Sequence, residues 1–387
     1  MSRTPDKSQP DWDPRSGEVL SNQIKAYDAM RGRCPVAYSD YLGWSLFRHQ
    51  DVVRVLDDHH AFSNVVSSHL SVPNGMDPPQ HTAYRRVVER HFETERVNAF
   101  EPLCRTISAD LVSGLDKGVE IDLASRLARP FAVQVQCAFL GWPSALHEPL
   151  LSWAQKNHEA TLAKDTKAMA EIALEFDGYI RTLLEERRVA GSDAPDDITT
   201  DLLRTRVDSK PLSHEEIVSI LRNWTVGELG TIAACVGILV HFLADTPRIQ
   251  EHLRNNLHLL AAAIDEILRM HAPLISNRRR TTKAVEIGGR RIAAGERITI
   301  MWASANRDEA VFGDPDEFRL DRDSGENLLY GRGIHVCPGA HLARLELRVL
   351  MEEMLTRTEQ ITLVPGRPPE IALYPASGFS VLPVRVA

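Results

Sequence analysis

One cysteine lies in a glycine-rich segment that is suited to present its sulfur to a bound group. Cys337 belongs to residues 330–339, Tyr-Gly-Arg-Gly-Ile-His-Val-Cys-Pro-Gly, which we call the cysteine loop. The three glycines tolerate positive φ and let the backbone approach a flat molecule closely. A helical pattern follows, and the positive end of a helix, like nearby backbone N–H groups, lowers the pKa of a thiol. A single cysteine is usually a packing residue, but this setting predicts a thiolate that faces a planar cofactor.

The cysteine loop closely resembles the haem-binding signature of the cytochrome P450 family. The residues that carry the resemblance are Gly331, Gly333, His335, Cys337 and Gly339, with Tyr330 where that family usually has Phe. The resemblance implies a haem b cofactor (iron protoporphyrin IX) with the Cys337 thiolate as axial ligand of the iron. Such a ligand pushes electron density onto haem iron and favours O–O cleavage.

Two further segments resemble the family's support for this loop. Glu266 and Arg269 are three residues apart on one face of a predicted helix, a spacing that by itself is typical of solvated ion pairs. The apolar residues around them, ended by Pro273, favour burial instead. In the family a second arginine completes this pair, and the resemblance implies that Arg322 supplies it. We expect a structural role for these three side chains, so that loss of Glu266 abolishes haem retention.

The resemblance also implies which basic side chains bind the haem propionates. His81 and Arg85 are four residues apart in a segment similar to the family's propionate-binding helix, so both can reach one carboxylate. His335 in the cysteine loop is a further donor. Arg279 is our choice for the last donor, with its two neighbouring arginines as alternatives.

A long helix must cover the other face of such a cofactor. Ser213 and Glu216 form a capping box that marks its start, and the helical pattern continues to about residue 243. One side of this helix carries bulky apolar residues, and the opposite side is small. We expect the small side, which includes Val226 and Gly230, to lie on the haem, with Gly227 next to it.

The long helix departs from the family where oxygen is activated. The family usually has an acid followed directly by a threonine, which steer water and protons. The corresponding residues here are Leu229 and Gly230, and a shift of one residue does not restore the pair. Glu228 and Thr231 form a possible substitute pair, although we predict that both face away from the haem. Glu228 is then either a structural carboxylate or a proton relay whose pKa burial raises, and our hypothesis is that protons arrive through ordered water near Gly230.

The sequence gives less detail about a substrate pocket. Arg222, on the predicted small side of the helix, either holds a polar group of the substrate or pairs with a neighbouring helix. The other residues predicted by family position to contact substrate are Leu274, Ile275, Ser276 and Phe379. Together they are typical of a pocket for a mid-sized organic molecule with some polarity.

Composition and charge limit the class of protein. The 387 residues are 43% hydrophobic and 25% charged, as in ordinary globular proteins. A net charge of −8 argues against nucleic acid as a partner. Residues 1–17 lack the apolar core of a signal peptide, and the longest apolar run, residues 232–243, is too short to span a bilayer. Five cysteines without a Cys-x-x-Cys pair fit a reducing compartment, so we expect a cytoplasmic protein without membrane contact.

The pattern of elements predicts a single mainly α domain with small β-sheets. Helical patterns dominate residues 22–268. The strand patterns occur at residues 36–38, 43–46, 285–292 and 297–301. We therefore predict a flexible lead over residues 1–17 and one domain of the cytochrome P450 fold over residues 18–387, with haem between the long helix and the helix after Cys337.

The resemblance implies a haem-thiolate monooxygenase, an oxidoreductase that inserts one oxygen atom from O2 into an organic substrate. The sequence contains no flavin or nicotinamide fingerprint and no cysteine cluster, so it implies separate electron carriers, a ferredoxin and its reductase. Arg332, Arg344 and Arg348 are candidates for a basic face toward an acidic ferredoxin. The missing acid–threonine pair leaves two alternatives: a peroxide-driven or non-oxygenating haem-thiolate enzyme, and a haem-binding sensor.

Overall fold

The computed structural model describes residues 9–387, which contain fifteen α-helices and fourteen short strands. The helices are α1 (Gly17–Ser21), α2 (Gln23–Arg33), α3 (His49–Asp57), α4 (Gln80–Glu89), α5 (Thr94–Ser113), α6 (Arg129–Leu140), α7 (His147–Ala163), α8 (Thr166–Ala190), α9 (Ile198–Arg204), α10 (His214–Asp245), α11 (Pro247–Asn255), α12 (Leu260–His271), α13 (Trp302–Ala305), α14 (Glu309–Phe312) and α15 (Ala340–Arg357). The strands are β1 (Val36–Ser39), β2 (Gly43–Leu46), β3 (Phe62–Ser63), β4 (Glu120–Asp122), β5 (Arg206–Val207), β6 (Lys210–Pro211), β7 (Ser276–Thr281), β8 (Val285–Ile287), β9 (Arg290–Ile292), β10 (Arg297–Met301), β11 (Ile361–Leu363), β12 (Glu370–Ile371), β13 (Phe379–Val381) and β14 (Pro383–Val386).

Strand β7 decides which of three consecutive arginines faces the interior. The largest sheet has the order β1-β2-β10-β7-β3, with β10 parallel to β2 and antiparallel to β7. Side chains alternate between the two faces of a strand. Arg279 is the buried one at 6% exposure, whereas Arg278 and Arg280 are exposed. The interior position expected of Arg279 is therefore observed.

Helix α10 runs through the core. Its start has the predicted capping box: Ser213 Oγ accepts from the N–H of Glu216 at 3.2 Å, and the Glu216 carboxylate accepts from the N–H of Ser213 at 2.7 Å. The helix packs against α6, α8 and α12. By length and hydropathy alone it is long and apolar enough to cross a membrane, but half of its apolar window is buried inside the protein. An apolar core helix has the same composition.

A turn from the C-terminal part of the chain covers the small side of α10. Gly378, which precedes β13, has a φ of +77°, and a Cβ there would lie 3.2 Å from Ala234. Phe379 comes within 3.7 Å of the position that a Cβ on Gly237 would take. Its ring centroid is also 4.5 Å from that of His241. The small residues therefore allow close packing of protein against protein.

Helices α12 and α15 carry the residues that flank the cysteine loop. They pack against each other and against α10, and α15 also packs along α5. Helix α15 begins at Ala340, as the sequence predicts, so its N-terminus points at the cysteine loop. The buried leucines Leu342, Leu345 and Leu350 anchor one side of this helix in the largest hydrophobic cluster.

The chain joins the domain earlier than the sequence predicts. Residues 1–8 of the predicted flexible lead lie outside the described residues. Trp12 is buried at 6% exposure, and its ring contacts Phe47 with centroids 5.2 Å apart. The N–H of Asp11 donates to the carbonyl of Tyr38 at 2.9 Å, and the Asp11 carboxylate pairs with Arg290. The expectation of a flexible segment up to residue 17 is therefore wrong for residues 11–16, because one large aromatic side chain supplies enough apolar burial to hold them.

Candidate functional site

A cavity of about 660 Å³ lies between α10 and the cysteine loop, where the sequence places the site. Helix α10 contributes five lining residues, which are Gly227, Glu228, Thr231, Ile232 and Cys235. The cysteine loop and α15 contribute Tyr330, Gly331, Arg332, His335, Cys337, Pro338, Gly339, Ala343 and Leu347. Strand β7 and residues 64–75 close the edges of the cavity.

The cysteine loop is shaped by backbone hydrogen bonds and two left-handed glycines. The N–H of Cys337 donates to the carbonyl of Tyr330 at 2.8 Å, which closes the loop. Gly331 and Gly333 have φ values of +74° and +71°. A Cβ on Gly333 would also lie 2.5 Å from the carbonyl oxygen of Leu56, so a side chain would displace the backbone there.

The sulfur of Cys337 is open to the cavity, although the cavity itself lies deep in the protein. Gly339 has an ordinary φ of −84° and does not use the freedom of a glycine to adopt positive φ. Burial raises the pKa of the Cys337 thiol to about 11, although the N–H of Gly339 donates to the sulfur and lowers it in part. The predicted thiolate therefore depends on the bound group as well as on the loop. A metal cation bound at the sulfur would displace the proton.

Glu266, Arg269 and Arg322 meet in a buried network, which we call the brace. Arg269 donates to both carboxylate oxygens of Glu266, with Nε at 2.7 Å and Nη2 at 2.9 Å. Arg322 Nε donates to Oε1 of Glu266 at 2.8 Å. Arg269 is 1% exposed and Glu266 is 5% exposed, so these bonds replace the lost hydration of the charges.

Asn306 connects the brace to the cysteine loop. Arg269 Nη1 donates to the carbonyl of Asn306 at 2.7 Å, and Asn306 Oδ1 accepts from the N–H of Leu328 at 2.8 Å. The carbonyl of Leu328 accepts in turn from the N–H of Gly331 at 2.9 Å. Displacement of Glu266 would therefore shift the backbone of the cysteine loop through this chain of hydrogen bonds. Sequence reasoning missed Asn306, because nothing in its local sequence marks it.

Four basic side chains meet at one edge of the cavity and form what we call the basic cluster. His81, Arg85 and Arg279 are 2%, 8% and 6% exposed, and the ring centroids of His81 and His335 are 4.2 Å apart. Burial, with further contributions from His81 and Arg279, lowers the pKa of His335 to about 3. Burial also lowers the pKa of Arg279 to about 10. Positive charge and hydrogen-bond donors are thus concentrated in a buried place.

The basic cluster fits a ligand with carboxylate groups, such as the two haem propionates. The Nε2 atoms of His81 and His335 are buried and meet no hydrogen-bond partner within residues 9–387. Arg279 donates from Nη1 to the carbonyl of its own neighbour, Arg278, at 2.8 Å. An unsatisfied buried donor costs about 1–3 kcal/mol, and an anion at this edge would recover that free energy. With the Cys337 sulfur on the same cavity wall, these residues fit haem.

The predicted orientation of α10 is wrong. Glu228 and Thr231 line the cavity, although we expected them to face away from it. Val226 is 45% exposed, and neither it nor Gly230 lines the cavity. Gly227 does line it, as expected. The Gly378 turn covers the small side of the helix only at Ala234 and Gly237, and Val226 and Gly230 stay exposed.

Glu228 meets a second carboxyl group that sequence reasoning missed. Glu346 of α15 is fully buried and hydrogen-bonds with Glu228, and burial followed by the charge of Glu228 raises its pKa well above the ordinary value. Burial likewise raises the pKa of Glu228. The signal in the sequence was a single carboxylate between Leu345 and Leu347, in a helix whose neighbouring positions are apolar.

Three of the predicted substrate contacts lie elsewhere. Arg222 donates to both oxygens of Asp177 on α8 at 2.8 and 2.9 Å and to the carbonyl of Leu70 at 2.9 Å, so its guanidinium is engaged by protein. Ile275 is 2% exposed and packs in the hydrophobic cluster of Trp12. Phe379 packs on α10 and does not line the cavity. The structure therefore shows the second alternative for Arg222, an ion pair with a neighbouring helix.

Polar side chains line the substrate end of the cavity. Leu274 and Ser276 line it as predicted, and Ser276 Oγ lies 3.1 Å from the hydroxyl of Tyr374. The other polar side chains of this wall are Asn64, Ser67, His69, Ser71, Asn74, Asn277 and Arg278. Tyr374 was missed because it lies in an irregular turn with no periodic pattern.

The three arginines near the cysteine loop do not form the expected basic face. Arg332 pairs with Asp57 at 3.1 Å, and Arg344 pairs with Asp265 at 2.9 Å while lying 4.3 Å over the ring of Tyr330. Arg348 pairs with Glu101 at 2.7 Å and with Glu352 at 2.8 Å. Acidic neighbours balance the charges of all three arginines. The prediction that they form a basic docking face is therefore wrong.

Comparisons with known proteins agree with the geometry. A family model described as cytochrome P450 matches residues 144–384. Cyclomarin C epoxidase of Salinispora arenicola is 31% identical over 334 residues, 82% of this chain and 84% of that protein. Erythromycin C-12 hydroxylase of Saccharopolyspora erythraea is 31% identical over 348 residues, 86% of each chain. Open P450 EryK from S. erythraea superposes with a TM-score of 0.86 at 29% identity, over 95% of this chain and 96% of that one. The predicted fold class is confirmed.

We predict that Glu266→Gln strongly reduces haem retention. The amide keeps the shape of the side chain but leaves two buried guanidinium groups without a carboxylate, which costs about 3–5 kcal/mol. Haem content after purification and the temperature of unfolding measure the effect. Glu317→Gln is the control, because Glu317 is an exposed carboxylate of the Arg322 segment whose backbone carbonyl alone contacts Arg322. Equal haem content in the two variants would contradict the role of the brace.

We predict that Arg279→Met weakens haem binding. A hydrogen bond to a charged group contributes about 1.5–3 kcal/mol, which corresponds to roughly 10- to 100-fold faster haem loss. Transfer of haem to an excess of a haem-scavenging apoprotein measures the rate. Arg280→Met is the matched control, since that arginine is the exposed next residue of the same strand. A rate that rises equally in both variants would show that Arg279 does not bind a propionate.

Proposed function

The chain belongs to the cytochrome P450 family and is a monooxygenase that acts on an organic substrate, and on that premise we propose how its residues do so. The family implies a haem-thiolate cofactor. We propose that this cofactor is haem b and that Cys337 is its axial ligand. The observation that carries the proposal is the Cys337 sulfur, open to a cavity that also has the basic cluster at its edge.

The protein's own residues position the cofactor and control its surroundings. Haem supplies the chemistry that activates O2, with one oxygen atom entering the substrate and the other leaving as water. The brace and the hydrogen bond from the Cys337 N–H fix the sulfur, and His335, Arg279 and Arg85 would hold the propionates. Gly331 and Gly333 let the loop backbone approach the haem face closely. Helix α10 lines the cavity wall across from the cysteine loop, where it would cover the bound cofactor.

The substrate is a mid-sized organic molecule with polar groups. The cavity wall beyond the cysteine loop combines Leu274 with hydroxyl and amide side chains such as those of Ser276 and Asn277. Polar groups that line a pocket select substrates that satisfy their hydrogen bonds. Relatives whose names refer to cyclomarin C and erythromycin support a functionalised substrate of this kind.

Electrons come from a ferredoxin and its reductase. Residues 1–387 include no flavin or nicotinamide fingerprint and no cysteine cluster, so the chain depends on separate carriers. The five cysteines are all free, which fits a reducing compartment. We therefore propose that the protein is cytoplasmic. Residues 18–387 act as one catalytic domain, to which residues 11–16 are packed.

We predict that the reduced carbon monoxide complex has the red-shifted Soret band of a thiolate-ligated haem. Cys337→Ser should lose this band, because a serine hydroxyl is not ionised at neutral pH and does not replace the thiolate. Cys235→Ser is the control, since Cys235 is a second thiol on the cavity wall. A red-shifted band that survives in Cys337→Ser would assign the ligand to another residue.

The route of oxygen activation is tested by comparing three reactions. We expect product with ferredoxin, reductase and nicotinamide cofactor, and no product without an electron source. Product formed by hydrogen peroxide alone at a similar rate would favour the peroxide-driven alternative, which the residues Leu229 and Gly230 keep open. Absence of product in all three reactions, with substrates that shift the Soret band, would favour the sensor. Product analysis by mass spectrometry measures the outcome.

A further inference from the structure

Two carboxyl side chains meet where α10 and α15 approach each other. Glu228 of α10 reaches the cavity wall, but its Oε1 atom is buried. Glu346 of α15 is 0% exposed, with both oxygens buried. The two side chains are hydrogen-bonded to each other. One member of the pair therefore contacts the cavity, and the other lies in the core behind it.

A hydrogen bond between two carboxyl groups requires a proton. An ionised carboxylate is only an acceptor, and a protonated carboxyl has one O–H to donate. Neither oxygen of Glu346 meets a donor from any other group in residues 9–387, and the same holds for Oε1 of Glu228. Two unprotonated carboxylates in direct contact would repel each other in a medium of low dielectric constant. The geometry is stable only when the pair holds at least one proton.

The surroundings of the pair provide no positive charge. In the described part of the chain, neither glutamate takes part in an ion pair. The titratable groups that face the pair are thiols: Cys104 on α5 beside Glu346, Cys235 on α10 beside Glu228, and more distantly Cys337. Burial raises the pKa of the Cys104 and Cys235 thiols, so both are neutral at physiological pH. The proton of the pair is thus not displaced by a neighbouring cation.

We propose that Glu228 and Glu346 share one proton and supply it to the cavity during oxygen activation, in place of the absent acid–threonine pair. The proposal rests on the monooxygenase function above, a reaction that consumes two electrons and two protons for each O2. The protonated pair gives H⁺ to a water molecule at the cavity wall and is left with two negative charges. That state is unfavourable in the core, so the pair takes up H⁺ again from solvent and is reset.

Open space beside α10 lets water reach the pair. A Cβ built on Gly227 or on Gly230 would meet no heavy atom within 4 Å, and both glycines are exposed. Both positions are within one turn of Glu228, and Gly227 lines the cavity together with it. Thr231 lies one turn further along the cavity wall and adds a hydroxyl that can both accept and donate a proton. The hypothesis of ordered water beside this part of α10 thus gains an acid, Glu228, on the cavity wall.

Infrared spectroscopy of the holoprotein tests whether the proton is shared. A protonated carboxyl has a C=O stretching band that ionised carboxylates lack and that shifts in D2O. We expect the wild-type band to disappear in Glu228→Gln and also in Glu346→Gln, because an amide donates to the remaining glutamate and lets it ionise. Glu353→Gln is the control: it lies two turns further along α15, and its carboxylate is paired with Arg105 and Arg357.

Two results would overturn the proposal. A wild-type protein without a protonated-carboxyl band has no stored proton. A band that survives in either single variant belongs to an independent buried acid. If a variant fails to fold, titration of the wild-type band still decides: a shared proton is lost in one step well above the ordinary pKa of glutamate, which is 4.5.

The pH dependence of stability gives a second, independent measurement. A folded-state pKa above the unfolded value means that the stability is fully present below the unfolded value and is lost as the pH rises toward the folded one. The unfolding temperature of the wild type should therefore fall relative to that of Glu346→Gln as the pH rises above the ordinary glutamate pKa of 4.5. A difference that stays constant over this range would contradict a buried, protonated Glu346.

Turnover separates this proposal from the proposed function. Product formed per electron pair from ferredoxin should fall in Glu228→Gln, by roughly 100-fold for a positioned proton donor. Hydrogen peroxide carries its own protons, so any peroxide-driven product should be unaffected, as should all reactions of Glu353→Gln. Unchanged coupling in Glu228→Gln would remove the pair from the proton path. Loss of product in the wild type itself would refute the monooxygenase function and leave the infrared result standing.

Discussion

The carboxylate of Glu266 between two guanidinium groups is the interaction on which the cysteine loop depends. Three charged side chains are taken out of water here, and their mutual attraction alone rarely repays that cost. The structure adds backbone partners: Arg269 also donates to the carbonyls of Asn306 and Pro315 at 2.7 and 3.0 Å. Arg322 donates to the carbonyl of Glu317 at 2.8 Å. Every donor is thus directed at a fixed acceptor, so the brace contributes position more than net stability.

The basic cluster is a second group of buried charged and polar side chains whose burial costs free energy. Buried His81, Arg279 and His335 have too few acceptors within the protein, and burial with mutual repulsion lowers the pKa of His335 to about 3. Such a cluster destabilises the chain when it has no anion, and it binds an anion strongly for the same reason. Part of the free energy of haem binding is then free energy of folding. Burial also raises the pKa of the Cys337 thiol, and a bound metal that replaces the thiol proton would remove this cost of burial.

The sequence predicted what is encoded locally and failed where distant segments compete. The capping box at Ser213, the strand Arg297–Met301 and the start of α15 depend on adjacent residues and were placed correctly. The face of α10 was not, because its small residues suit a flat cofactor and a tightly packed turn equally well. The Gly378 turn, more than 130 residues away, covers the part of that face at Ala234 and Gly237. Asn306 and Glu346 were missed for a similar reason, since their partners come from other helices and loops.

The same residue type takes opposite protonation states along α15 because its partners differ. Burial raises the pKa of Glu353, but hydrogen bonds from Arg357 and Arg105 outweigh it and lower the pKa below the ordinary value. Glu346, seven residues earlier, has another carboxyl as its partner, and its pKa is raised well above the ordinary value. A cation beside Glu346 would bind the charge and abolish the stored proton. Within residues 9–387 no such cation lies beside Glu346, and this is what allows a protonated acid to persist next to the cavity, as the proposed proton supply requires.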